Sequence, residues 1–284
     1  MPEYEFKSSK TNINYFSNDK DSNISIVFLH GWQSFWESWN IFGIMDNFSK
    51  FNVNAIDLPG HNKSGHIEKY NLETYSAPVY EFIENLKNEK IILVGHSLGA
   101  SIALNIASRF GDKISHAVLE DPPWFSVERG DILKNEKFNH ITERQVKKYY
   151  SGSHFISKHK PLWKTPLDAI FSYQYFDKEA FEINPYFASL RACAAYQHDI
   201  KIWQNPSKNL DWVWQDVPEL SKKVKSKLCI IGGNNDKGGL ILDEIANQAV
   251  KNIKNCEFHK LDTGHNVRLE DTNNFMRIVK KFIN

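Results

Sequence analysis

Cysteine is scarce in this chain. Three residues in 284 (Cys193, Cys229 and Cys256) lie far apart, are odd in number and show no metal-ligand spacing. That excludes a small disulfide-stapled scaffold and fits a protein of a reducing compartment. Net charge is scarce too: 35 Lys and Arg against 34 Asp and Glu leave +1. With no basic run, nothing in the charge pattern points to nucleic acid or to an anionic lipid surface. No apolar run approaches the ~20 residues of a membrane span. Met1-Pro2-Glu3-Tyr4-Glu5 has neither the basic start nor the apolar core of a signal peptide. Internal repeats and low-complexity segments are likewise missing, so the expectation is a cytoplasmic globular protein. What remains is long enough for one large α/β domain or two small ones, with a substantial core.

The most informative stretch is Lys90-Ile91-Ile92-Leu93-Val94-Gly95-His96-Ser97-Leu98-Gly99-Ala100. It reads as a fully apolar strand, a tight turn carrying a serine, and a helix rich in small residues (Ala100, Ser101, Ala103, Ala107). The turn Gly95-x-Ser97-x-Gly99 is the pattern of a nucleophile elbow. A serine at so sharp a strand-to-helix turn is strained, and flanking side chains would collide with the neighbouring strand and helix. The gain is a hydroxyl raised clear of the sheet above a helix N-terminus, with the Leu98 N–H aimed at a developing oxyanion. An ordinary Gly-Ser-Gly loop ending a strand is the bland alternative; the apolar strand before it and the small-residue helix after it favour the catalytic reading.

Around this stretch the chain alternates strands and helices. Glu5–Ser9, Asn12–Phe16, Ile24–Leu29 and Val53–Ile56 read as strands, and Ser38–Lys50 as a helix with Ile41, Phe42, Met45 and Phe48 on one side. Tyr75, Val79, Phe82, Ile83 and Leu86 mark another helix. Ile114–Glu120 is a strand stopped by Asp121-Pro122-Pro123-Trp124. From Trp124 to about Pro218 strand-like runs vanish, helical patterns dominate, and aromatics crowd in: Trp163, Phe171, Tyr173, Tyr175, Phe176, Phe181, Tyr186, Phe187, Tyr196 and Trp203 among them. A strand at Lys227–Gly232, a helix, a strand around Cys256–Leu261 and a last helix with Phe275, Ile278, Val279 and Phe282 on one face complete the pattern.

With the elbow as its most specific motif, the chain resembles the α/β-hydrolase superfamily over nearly its whole length, as a capped serine esterase or lipase-like hydrolase. The resemblance implies an α/β fold with a mostly parallel central sheet flanked by helices and a helical cap inserted after the strand ending near Glu120. The expected division is core 1–121, cap 122–218 and core 219–284. It also implies that His30-Gly31-Trp32 supplies the second oxyanion N–H, that of Trp32, although this is not the His-Gly-Gly-Gly loop of many lipases. Asp57-Leu58-Pro59-Gly60-His61-Asn62-Lys63-Ser64 resembles the family's Asp-x-Pro-Gly-x-Gly-x-Ser loop, with Asn62 in place of the second glycine. It reads as architectural, with His61 and Lys63 at the surface.

A serine hydroxyl needs a base to take its proton, histidine suits that task near neutral pH, and a carboxylate must orient the ring. The family order Ser, acid, His is met by Ser97, a carboxylate and His265, the last in Gly264-His265 between the final strand and the final helix. For the acid, Asp236 in a Gly-x-x-Asp arrangement after the penultimate strand is the leading choice. Glu120 and Asp121, after the preceding strand, are the alternative. The implied activity is hydrolysis of carboxylic esters of small to medium, apolar or aromatic substrates through an acyl-enzyme on Ser97, without cofactor or metal. A serine also speaks against the dehalogenase and epoxide-hydrolase branches, which use aspartate as nucleophile. Carbon–carbon bond hydrolysis (with Arg191 as a candidate for binding an acidic substrate), perhydrolysis, and a ligand receptor with little turnover stay open, as do the substrate and the oligomeric state.

Overall fold

The computed structural model describes residues 2–124, 153–204 and 217–284. Its strands are β1 (Glu3–Lys7), β2 (Asn12–Ser17), β3 (Ile24–Leu29), β4 (Asn52–Ile56), β5 (Lys90–His96), β6 (Ile114–Glu120), β7 (Lys227–Gly232) and β8 (Cys256–Lys260). They form one sheet in the order β1-β2-β4-β3-β5-β6-β7-β8. Pairing is antiparallel from β1 to β2 and from β2 to β4, and parallel from there on. A mostly parallel sheet flanked by helices is thus the observed architecture. The helices are α1 (Leu72–Asn85), α2 (Leu98–Phe110), α3 (Pro166–Phe176), α4 (Lys178–Ile183), α5 (Pro185–Gln197), α6 (Ile200–Gln204), α7 (Val217–Ser221), α8 (Asp243–Asn252), α9 (Val267–Glu270) and α10 (Thr272–Ile283). Among the described residues no helix is long and apolar enough to cross a membrane.

The apolar character of β5 follows from its central place. Ile91 and Leu93 pack into a core with α1, α2 and α8, while Ile92 and Val94 pack on the opposite face with Phe275, Ile278 and Val279 of α10. Both faces of a parallel strand are covered, so alternation with polar residues disappears. Helix α2 lies against the sheet because its first turn has no bulk to hold it off. A Cβ built on Gly99 would stand 2.1 Å from the Leu29 carbonyl oxygen, and one on Gly95 2.3 Å from that of Gly99.

Three local expectations change. The first strand lies two residues earlier than Glu5–Ser9, because Ser8 closes a turn: its N–H and hydroxyl both donate to the Thr11 carbonyl, at 3.1 and 2.6 Å. Ser38–Lys50 is not a continuous helix but short 3-10 turns at Trp36–Trp39, Ile41–Gly43 and Met45–Phe48. Phe42 and Gly43 take positive φ (57° and 64°), which breaks the helix and leaves Phe42 exposed, while Trp36, Trp39, Met45 and Phe48 still reach the core. His61, expected at the surface, is fully buried. Its ring accepts from the Gln33 N–H at 3.1 Å and donates to the Pro59 carbonyl at 3.0 Å, tying the loop after β4 to the loop after β3.

The described chain between β6 and β7 forms helices joined by short loops. It docks on the same two loops. His198 donates to the Ser34 carbonyl (3.2 Å), the Asp199 N–H to the Gly60 carbonyl (2.7 Å) and the Gln33 amide to Ser153 (3.0 Å). The Phe187 ring stacks on Phe35. Of the aromatics in this insertion, Trp163, Tyr173 and Trp203 are buried, whereas Phe171, Tyr175 and Tyr186 face solvent.

Candidate active site

Ser97 sits between β5 and α2 with φ 52° and ψ −117°, a conformation that L-residues avoid and that persists only where the surroundings impose it. The surroundings are visible. Its N–H donates to the Glu120 carbonyl at 2.9 Å, carrying the β5–β6 pairing one residue past the strand, and its carbonyl accepts from Ala100 and Ser101 as α2 begins. The residue is 8% exposed.

The loop after β3 lies directly against this turn. A Cβ built on Gly31 would come 3.2 Å from Ser97 Cβ and 2.7 Å from His96 Nδ1, so only glycine allows this approach. The Gly31 carbonyl accepts from His30 Nδ1 (2.7 Å) and from the Ser34 N–H (3.2 Å). Carbonyl and N–H of one planar trans peptide point in opposite directions. Pinning the Gly31 carbonyl therefore also fixes the direction of the Trp32 N–H. His30 itself is fully buried, accepts from the Leu58 N–H at 2.9 Å, and is held neutral because burial pushes it well below the usual imidazole range. It shapes the loop and is unavailable as a base.

His265 follows β8 and meets Asp121, not Asp236. His265 Nδ1 donates to Asp121 Oδ2 at 2.6 Å. Asp121, fully buried and at a positive φ of 41°, also accepts from the Leu240 N–H at 2.7 Å and from Gly233 and Ile241 at 3.2 Å each. Asp236 is exposed, in a 3-10 turn over Asn235–Lys237 where its own N–H donates to the Asn234 side chain at 3.0 Å. The expected assignment of the acid to Asp236 is corrected on that geometry. The loop after β7 lends its backbone N–H groups to a carboxylate from β6 instead of presenting one of its own. Four donors thus converge on one buried carboxylate and fix its orientation.

His265 is tied to His96, the residue before Ser97. Their rings lie 4.6 Å apart between centroids, and His96 Nε2 donates to the His265 carbonyl at 3.0 Å. Burial, with Arg268 and His265 nearby, pushes His96 well below the usual range, so it is a neutral donor. Below this layer runs a buried ion pair absent from the sequence reading. Glu120 Oε1 accepts from the Arg268 N–H at 2.8 Å and Oε2 from Nη1 at 3.0 Å; the two residues are 0% and 1% exposed. The guanidinium also lies 4.3 Å from the centre of the Trp39 ring. Burial raises the Glu120 carboxyl while Arg268 pulls it back. Glu120 is thereby removed from contention as the acid, since its carboxylate is committed to Arg268. Arg191, considered for binding an acidic substrate, faces Asp177 at 3.5 Å.

Known proteins resemble this chain in the same terms. The family profile described as "alpha/beta hydrolase fold" matches residues 24–271. A putative esterase/lipase of Haemophilus influenzae is 23% identical over 91% of this chain and 83% of its own. Epoxide hydrolase 1 of Caenorhabditis elegans is 27% identical over 39% of this chain, a match spanning only 28% of that protein's length. Among solved structures, a hydrolase from Pseudomonas aeruginosa superimposes with a TM-score of 0.71 at 13% identity, covering 99% of this chain and 98% of that one.

Proposed function

This chain belongs to the alpha/beta hydrolase fold family, and from that membership we propose that it is a serine hydrolase cleaving carboxylic esters of small to medium, apolar or aromatic substrates. Ser97 attacks the ester carbonyl as His265 takes the hydroxyl proton, and Asp121 holds the imidazole in the right tautomer and steadies its positive charge. The Trp32 and Leu98 N–H groups receive the oxyanion. His265 then protonates the leaving alcohol, and water attacks the acyl-enzyme along the same path. The helical insertion between β6 and β7 acts as a cap over the reacting groups, its buried aromatics bounding an apolar pocket.

The observation that carries the reading is the 2.6 Å Asp121–His265 contact, in a chain that also holds a serine in strained elbow geometry. The full-length resemblance to a protein named an esterase/lipase supports ester chemistry. Serine at position 97 argues against the epoxide chemistry named for the partial match. The test is a panel of nitrophenyl esters hydrolysed by the wild type, Ser97→Ala, Asp121→Asn and Asp236→Asn. Ser97→Ala should abolish turnover, Asp121→Asn should lower kcat by about 10³–10⁴-fold, and Asp236→Asn should stay near wild type. Turnover surviving Ser97→Ala, or loss in Asp236→Asn with retention in Asp121→Asn, overturns the assignment.

A further inference from the structure

Away from the candidate active site, the free edge of the sheet gathers three metal-ligating side chains. Strands β7 and β8 run parallel with Cys229 directly opposite Glu257, and His259 follows two residues along β8. Neighbouring strands lie about 4.8 Å apart and alternate residues share a face, so this register points the three side chains the same way. The Cys229 Sγ, a Glu257 carboxylate oxygen and a His259 ring nitrogen lie within 4.8 Å of one another, and His259 Nε2 is 3.0 Å from Glu257 Oε1.

We propose that Cys229, Glu257 and His259 bind a divalent transition metal of borderline softness, with zinc as the best match. Three atoms mutually within 4.8 Å share a point no more than about 2.8 Å from each, against bond lengths of roughly 2.0–2.3 Å to nitrogen, oxygen and sulfur. Shifts of about half an ångström in two long, partly exposed side chains close the difference. Thiolate with imidazole selects zinc, or cobalt in its place, over the oxygen-seeking magnesium and calcium. Exposure rises from buried Cys229 through half-buried His259 to exposed Glu257. An ion therefore enters from solvent, and water completes a tetrahedral set.

Without metal, burial and the neighbouring Glu257 hold the Cys229 thiol well above its usual range. Binding replaces the thiol proton by the ion: the S–H bond breaks, an S–metal bond forms, and one proton leaves to solvent. Affinity therefore rises with pH. Cys256 lies one residue before Glu257, on the opposite face of the sheet, and takes no part.

Titration of the full-length, reduced protein with Co²⁺ tests this. A thiolate-to-cobalt charge-transfer band in the near ultraviolet is expected, displaced by Zn²⁺ but not by Mg²⁺. Cys229→Ser should abolish the band and Cys256→Ser should keep it. His259→Ala, a surface change that leaves the core intact, should weaken binding by more than the roughly 10–100-fold that a supporting residue costs. The absence of a band in wild type, its survival in Cys229→Ser or its loss in Cys256→Ser overturns the site.

Discussion

Replacing Arg268 by Met should be among the most damaging single changes outside the reacting groups, and the deficit should grow with pH. Arg268 and Glu120 are buried together with two direct hydrogen bonds, one from the Arg268 backbone and one from its guanidinium. Methionine keeps the backbone donor and much of the volume but leaves the Glu120 carboxylate without its countercharge. Breaking a buried pair by removing one partner costs about 3–5 kcal/mol, a large fraction of the roughly 5–15 kcal/mol that stabilises a typical domain. The sign with pH follows from Glu120, whose folded pKa is raised by burial and lowered by Arg268. Without Arg268 it rises further, and the folded protein then binds a proton that the unfolded chain releases. A raised carboxyl contributes stability below its unfolded pKa and loses it as pH climbs through the folded value. Urea unfolding of Arg268→Met should therefore show a larger loss at pH 8 than at pH 5. The double variant Glu120→Leu, Arg268→Met should recover most of it, because two apolar residues leave no orphaned charge. A loss below about 1 kcal/mol, well short of the expected range, or one that does not change between the two pH values, would refute this account.

Two further outcomes follow from the same core. Thermal stability should fall between pH 7 and pH 5. Burial holds His30, His96 and His198 well below the usual imidazole range and His61 down to about 4. The unfolded chain takes up protons there that the fold refuses, and His61 alone accounts for roughly 2 kcal/mol over this interval. Asp57, pushed up to about 7, and the raised Glu37 and Glu120 act the opposite way but are fewer; a melting temperature flat or rising across that interval would contradict the balance. Gly99→Ala should lower the urea midpoint by an amount equivalent to at least about 1–3 kcal/mol and suppress ester turnover, since the new methyl meets the Leu29 backbone; unchanged stability and rate would show that α2 can retreat freely.

How far the chain could be read depended on whether a feature was local. The strand, elbow and helix from Lys90 to Phe110 are specified by their own residues, and β6 ends at Glu120 as the Asp-Pro-Pro stop indicates. The Ser38–Lys50 pattern misled because indole burial and a Phe-Gly pair in positive φ outweighed helical periodicity. The acid was illegible for a different reason. β6 and β7 are parallel neighbours with Glu120 opposite Ile231, so the ends of both strands open onto the same spot beside His265. Chain order permits either carboxylate to reach it. What decides is which one finds donors: Gly233, Leu240 and Ile241 turn their N–H groups toward Asp121, while Asp236 points to water. That choice is made by the loop's backbone, whose direction no residue type in Gly233-Asn234-Asn235-Asp236-Lys237-Gly238-Gly239 announces. Arg268 and His30 were missed on the same ground. Each looks like an ordinary polar residue in sequence, and only tertiary contact reveals that one braces the histidine-bearing turn and the other orients the peptide facing Ser97.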